Sequence, residues 1–408
     1  MKKNKKKDII ITGYAMDKFY AAGIFQTTLA YATAFKKMGH NVKILLRDSD
    51  KAGDYKEDIK KKLVWLGIEY INTAELLKMK KVDYIIYMGF IYNDKNSGGN
   101  GLWEAMRDKF KKAKFVYAAF YNVVSGLVAG LTREEGYLSV DFKELNNFAF
   151  EEMWVLESHM KGSRHLLAQT FGSVKEMPLL VLEKDDYIEE YYNNKTPPIT
   201  VQDFKFDVET CSKQKLLNLD PHSRIKHGFV PIIGALDWIR KEEGRQMVIG
   251  NAFPIWVNAD GHTDDKVHEY FKKYMSRTLT PEENYNVLTQ VPETIIKFYS
   301  RHPIHEIMRV SEAFAVIICG IGEWERWNVL LMDLFKFGVP VIHNFRDIDV
   351  GWKYEFPDTE GVNDAIEQCY SDLFENGKYE EYKAQARKCF DELSTIDSNK
   401  KKLEALIP

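Results

Sequence analysis

The segment GEWERWNVLLMDLFKFGVPVIHN (322–344) carries two carboxylates, Glu325 and Asp333, eight residues apart, and then the break Gly338-Val339-Pro340. A carboxylate beside a helix start can accept hydrogen bonds from sugar hydroxyls, while the first N–H groups of the helix favour phosphate oxygens. A second carboxylate further along can hold a ribose diol, as acidic residues do in dinucleotide folds. The competing reading is a surface acid followed by an ordinary capped helix. Trp324 and Trp327 flank Glu325 and either wall a nucleotide or cap the core.

Other stretches offer complementary chemistry. In LNLDPHSRIKHGF (217–229), Arg224 and Lys226 put two cations at the start of a helical segment. Positive charge there would stabilise a departing diphosphate; solvated helix-start cations are the alternative. In AAGIFQTT (21–28), Gly23 would let the backbone approach a phosphate or sugar, and Gln26 sits near the first turn of the helix. A base for an acceptor hydroxyl is harder to find. VYAAFYNVVSG (116–126) offers Tyr121 and Asn122 as acceptor contacts but no acid. His159, after Glu157 and Ser158, is the candidate base, although a lone histidine is more often a neutral hydrogen-bonding residue. Asp260, His262, Asp264 and Asp265 are spaced too irregularly for a metal loop and read as a solvated turn.

Two series of alternating elements must position these residues. DIIITGY is a short apolar run ending in glycine, followed by an amphipathic helix over AAGIFQTTLAYATAFKKMGH and a strand NVKILLRD. Strand, turn, helix and strand within 40 residues make a βαβ unit. KKLVWLGIEYI, VDYIIYMGF, AKFVYAAFY, EEMWVLES and EMPLLVLE continue the series as strands. YYNNKTPPIT (191–200) interrupts it as a linker. A second series follows, with KLLNLD, RQMVIGNA, FAVIICGIG and VPVIHN as strands, and RIKHGFVPIIGALDWIRKEEG and WNVLLMDLFKFG as helices. From about 361 onward the chain is charged and helical. The expectation is an α/β protein with an N-terminal domain over 1–190, the linker, a C-terminal domain over 201–380, and a helical segment over 381–408 packing back on the first domain.

Composition fits this. Of 408 residues, 45% are apolar and 29% charged, a globular balance, and no run is apolar and long enough to span a bilayer. Four scattered cysteines form no CxxC pair, which argues against a zinc site or disulfide framework and for a cytoplasmic setting. The net charge of −3 conceals a split: residues 1–120 hold 24 Lys and Arg against 13 Asp and Glu, and the remainder is acidic. The basic half suggests an anionic partner, or solvated helix faces.

The 322–344 segment resembles the signature of retaining GT-B glycosyltransferases of the glycogen-synthase and sucrose-synthase type: an acid, seven residues, a second acid, then a G-x-P-V-I turn. Here the second acid is Asp333 rather than Glu, and Trp327-Asn328 replace the usual Phe-Gly. The wider pattern, W-E-x-x-N-x-L-x-x-D and then G-x-P-x-x-H-N, is also similar to an uncharacterised bacterial family of GT-B-like proteins. The resemblance implies two Rossmann-like domains with parallel sheets facing a central cleft. It implies transfer of a sugar from a nucleotide-sugar, such as a UDP- or GDP-sugar, with retention and with no metal or other cofactor. Glu325 would be catalytic, with His159 as the alternative base. Gly23, Gln26, Arg224, Lys226, Trp324, Asn328 and Asp333 would hold the donor, and Tyr121 and Asn122 the acceptor. An anionic acceptor such as a phosphorylated glycan or DNA would suit the basic half, a viral-type DNA-base glucosyltransferase being one form of this. A sugar-nucleotide epimerase and a non-catalytic nucleotide- or glycan-binding scaffold are the alternatives.

Overall fold

The computed structural model describes residues 5–13, 23–46, 60, 63–64, 66–88, 99–119, 149–157, 173–182, 206–219, 229–250, 295–299, 312–320 and 326–408. The chain divides into two compact units. Unit 1 is Met1–Tyr187 with Leu393–Pro408, and unit 2 is Ile188–Glu392.

Unit 1 contains β1 (Asp8–Thr12), α1 (Gly23–Lys37), β2 (Asn41–Leu45), β3 (Glu69–Ile71), α2 (Thr73–Lys78), β4 (Tyr84–Met88), α3 (Gly99–Lys109), β5 (Lys114–Ala119), β6 (Glu152–Leu156) and β7 (Val174–Met177). The strand order is β3-β2-β1-β4-β5-β6-β7 and every pairing is parallel. Strands β4 and β6 are buried along their whole length, as expected for a parallel sheet covered on both faces. Trp103 of α3 meets Phe115 edge-on at 5.1 Å and Tyr87 at 5.9 Å, which fixes α3 over β4 and β5. Such ring pairs contribute about 0.5–1.5 kcal/mol each beyond their burial.

Two strand expectations are corrected here. KKLVWLGIEYI is not one strand: Leu63 and Val64 are helical, and the chain reverses at Gly67 (φ 63°). Gly67 N–H donates to Val64 O at 2.9 Å and Ile68 N–H to Leu63 O at 2.8 Å, a helix-ending turn, so β3 begins only at Glu69. In EMPLLVLE the strand lies earlier, at Val174–Met177, because Pro178 has no N–H to extend the ladder. The Pro178 carbonyl instead accepts the Tyr31 hydroxyl of α1.

Unit 2 contains β8 (Ser212–Leu219), α4 (Phe229–Arg240), β9 (Gln246–Gly250), β10 (Ile295–Tyr299), β11 (Ala313–Ile318), α5 (Val329–Lys336), β12 (Val341–His343), β13 (Trp352–Lys353), α6 (Thr359–Phe374) and most of α7 (Tyr379–Ser394). Its sheet is also wholly parallel, ordered β10-β9-β8-β11-β12-β13. Strands β10 and β13 were not evident in the sequence. Each half is thus a doubly wound α/β unit, as the alternating pattern predicts.

The second unit runs to Glu392, beyond the expected end at 380. The cause is α7, whose tyrosines anchor it there. Tyr379 hydroxyl donates to Phe206 O at 3.0 Å, and the Tyr382 ring stacks on Trp352 at 4.9 Å. The last helix, α8 (Lys400–Leu406), sits on unit 1 beside β7. Lys175 Nζ donates to the Ala405 and Leu406 carbonyls at 3.1 and 3.2 Å, Lys402 pairs with Glu157, and Val181 N–H donates to Ser394 O at 3.1 Å. The linker expected at 191–200 lies outside the described residues. Among the described residues no helix is long and apolar enough to cross a membrane.

Candidate functional site

Ligands of doubly wound sheets gather outside the carboxyl ends of the strands, where the strand order reverses. In unit 2 that point lies between β8 and β11. Near the end of β8, Asn218 is buried and in register with Ile317, and β11 ends at Ile318, with Cys319 and Gly320 following. The turn after β11 is held by the turn after β12. Gly320 N–H donates to Asn344 Oδ1 at 2.6 Å, and Asn344 Nδ2 donates back to Gly320 O at 3.3 Å. A side chain on residue 320 would overlap the Phe345 ring, so glycine is required for this approach. Arg326 extends the clamp by pairing with Asp347, its guanidinium 5.0 Å over the Trp327 ring. Tyr354 hydroxyl donates to Ile318 O at 3.1 Å.

His343 is the pivot beneath this clamp. Its Nδ1 faces the Phe345 N–H at 3.1 Å and so must accept. The proton therefore sits on Nε2, which donates to Val350 O at 2.8 Å. Burial drives its pKa down to about 4, so the ring is neutral and its tautomer fixed.

Helix α5 begins at this same edge. Asn328 is its N-cap, with φ −137° and ψ 172°, and Asn328 Oδ1 accepts the Leu331 N–H at 2.8 Å. Leu331, Met332, Leu334 and Phe335 bury one face, and Asp333 lies half-buried in the second turn. The Trp327 indole is buried, and its N–H has no hydrogen-bond partner among the described residues. Gly338 ends the helix, with Gly338 N–H donating to Phe335 O and Val339 N–H to Leu334 O. A capped helix start with its positive dipole beside a rigid turn is an arrangement suited to an anionic ligand.

The reversal in unit 1 lies between β1 and β4. Thr12 is buried there, and Gly13 packs so closely on β4 that any side chain would strike the Met88 carbonyl. Further along the same edge, Glu157 follows β6 and is 5% exposed. Burial raises its pKa, with Lys402 pulling the other way. One carboxylate oxygen meets Lys402, and the other has no hydrogen-bond partner among the described residues.

Of the residues singled out in the sequence, Asn328 caps α5 and Asp333 lies in its second turn. Gly23 opens α1 and Gln26 falls in its first turn, though their side chains lie outside the description. Glu325, Trp324, Arg224, Lys226, Tyr121, Asn122 and His159 lie outside the described residues, as do Asp260, His262, Asp264 and Asp265. Sequence reasoning missed Gly320, Arg326, Asn344, Asp347 and Glu157 as site-forming residues. The G-x-P-x-x-H-N pattern contained Asn344 but not its partner.

Solved structures share the fold that carries these edges. The chain superposes on an α-glucosyltransferase bound to UDP and a 13-mer DNA with a central A:G mismatch at a TM-score of 0.64, with 11% identity, covering 98% of this chain and 99% of that one. A glycosyltransferase from Rickettsia africae gives 0.56 and 13% identity over 98% and 97% of the two chains. WaaG, a glycosyltransferase involved in lipopolysaccharide biosynthesis, gives 0.52 and 13% over 98% and 99%. The fold is GT-B. No protein-family model and no curated protein sequence matches the chain. In GT-B terms, each unit is one of the two Rossmann-like domains, and α8 is the segment that returns to the first.

Proposed function

We propose that the protein is a glycosyltransferase that moves a sugar from a nucleotide-sugar donor to an acceptor with retention, without a metal or other cofactor. The observation that carries this reading is the edge of unit 2 where Gly320, held by Asn344, stands beside the capped start of α5. The solved neighbours add support, since several hold UDP or UDP-glucose. On this reading Arg224 and Lys226 neutralise the diphosphate, Asp333 binds ribose and Glu325 contacts the transferred sugar. Trp324 and Asn328 complete the donor site. The Asn328 contribution would come from Nδ2, because Oδ1 is committed to Leu331. From unit 1, Gly23 and Gln26 would approach the donor's distal end, while Tyr121, Asn122 and His159 serve the acceptor.

DNA, as in the α-glucosyltransferase complexes, and phosphorylated glycans are the acceptors to test first. A thermal-shift panel of UDP- and GDP-sugars should find a donor, since a ligand at a hundred times its Kd stabilises by about 2.7 kcal/mol. That donor should then release nucleoside diphosphate when an acceptor is added. A panel without any stabilising nucleotide overturns the proposal. Sugar isomerisation without acceptor would mark an epimerase, and binding without turnover a scaffold.

A further inference from the structure

The described cations of unit 1 concentrate at one end of its sheet. Parallel strands all start at the same edge, and the segments entering β1, β2, β4 and β5 lie side by side there. Asn41 N–H donates to Lys7 O at 2.8 Å, Asp83 N–H to Asp8 O at 2.8 Å, and Lys114 N–H to Asp83 O at 2.9 Å. Each entering segment carries exposed lysine: Lys6 before β1, Lys37 before β2, Lys80 before β4, and Lys111 and Lys112 before β5.

Carboxylates at this end are largely engaged. Asp83 accepts the Asp8 N–H at 2.9 Å and pairs with Lys81. Glu151 pairs with Arg107, and buried Glu152 pairs with Lys114 and Lys175. Asp108 on α3 is an exposed acid among them. No ion pair with a described residue ties down the five exposed lysines named above.

The shape of the charge decides its partner. Right-handed crossovers put α1, which leads to β2, on one face of the sheet and α3, which leads to β5, on the other. The lysines therefore cover the whole end of the unit rather than lining a groove; the four strand starts alone span about 15 Å. At the same end Val64 is 65% exposed, next to the turn in which Gly67 takes its carbonyl and Lys36 donates to the Gly67 carbonyl. An exposed apolar side chain among ammonium groups matches lipid headgroups above an acyl boundary, and a nucleic-acid duplex offers it nothing. This end is opposite the reversal point where Gly13 meets Met88.

From this geometry we infer that the strand-start end of unit 1 is a docking face for an anionic bilayer, held by lysine–headgroup attraction without a spanning helix. The face is separate from the transfer site and requires no turnover, so its test leaves the transferase reading untouched.

The experiment is co-sedimentation of the full chain with vesicles of phosphatidylcholine alone, or with about a third of it replaced by phosphatidylserine. Binding is expected to the anionic vesicles only, and to fall as salt rises from 0.1 M to 1 M, where the Debye length shrinks from about 10 Å to about 3 Å. Each lysine near such a surface contributes about fivefold. The combined K80E, K111E and K112E variant should therefore partition at least about a hundredfold less, while K388E on α7 is unchanged. Far-UV circular dichroism confirms folding, and the K80Q, K111Q and K112Q set replaces the glutamates if needed. Equal binding to neutral vesicles, or retention of binding by the triple variant, overturns the proposal. Tighter binding to a random duplex, lost in the same variant, also overturns it and makes the face a nucleic-acid surface.

Discussion

Asn344 grips Gly320 from both sides, its carbonyl oxygen accepting the glycine N–H at 2.6 Å and its amide nitrogen donating to the glycine carbonyl at 3.3 Å. Both groups are buried. Asn344→Ala leaves the Gly320 N–H without this partner and its carbonyl with the weak Cys319 thiol contact at 3.6 Å, and should destabilise unit 2 by about 1–3 kcal/mol. It should also shrink the thermal shift given by the donor. Denaturant melts with and without nucleotide check both; an unchanged shift would separate the clamp from the donor site.

Acid should loosen the same region through His343. Its imidazole titrates near 6.5 when unfolded and about 4 when folded, so between those values the folded state binds fewer protons. The stabilisation is complete above about pH 6.5 and is lost as pH falls toward 4, about 3 kcal/mol in all. Guanidinium midpoints measured from pH 7.5 to 5 should decline in the wild type. They should decline less in His343→Gln, and parallel curves would show that His343 is not the group responsible.

Gly13→Ala forces a methyl group against the Met88 carbonyl. Overpacking of this kind costs about 1–3 kcal/mol and should lower the melting temperature of unit 1. Gly101→Ala, where a Cβ meets nothing within 4 Å inside α3, is the control. It should be neutral or stabilise by about 0.5–1 kcal/mol.

Lys402→Ala strands the buried Glu157 carboxylate. Because the lysine is 46% exposed, a loss of about 1–3 kcal/mol is expected, below that for a fully buried pair. Adding Glu157→Gln should restore part of that loss. A double variant no more stable than the single would show that the pair is not coupled.

At the donor site the acids should separate in effect. Glu325→Gln should lower kcat, Asp333→Asn should raise the donor's Kd, and Lys226→Ala should weaken nucleoside diphosphate far more than nucleoside. Steady-state kinetics and calorimetry read these directly. Wild-type values in all three variants would return these residues to ordinary surface roles.

Much of the architecture was legible in the chain. DIIIT and AFAVII are short apolar runs bounded by glycine or a turn, which suffices for a strand buried on both faces. LVWLG deceived because an apolar run of that length suits a helix end equally well, and only the Gly67 turn decides between them. VPVIHN marked the right edge of unit 2. It could not reveal that Asn344 reaches back 24 residues to Gly320, since no local pattern encodes a partner in another strand's turn. The lysines were visible as composition, while their gathering at one end of a sheet is a property of topology.

Residues 393–408 return to unit 1, where α8 packs beside β7 and Lys402 meets Glu157. Everything from Ile188 to Glu392 is translated between the two parts of that unit. At about 5–20 residues per second, the first sheet waits about ten to forty seconds on the ribosome before that helix is made. In this interval β7 is an edge strand without its helix, and Glu157 is a carboxylate without its cation. A chaperone's window on this protein therefore opens early and closes last.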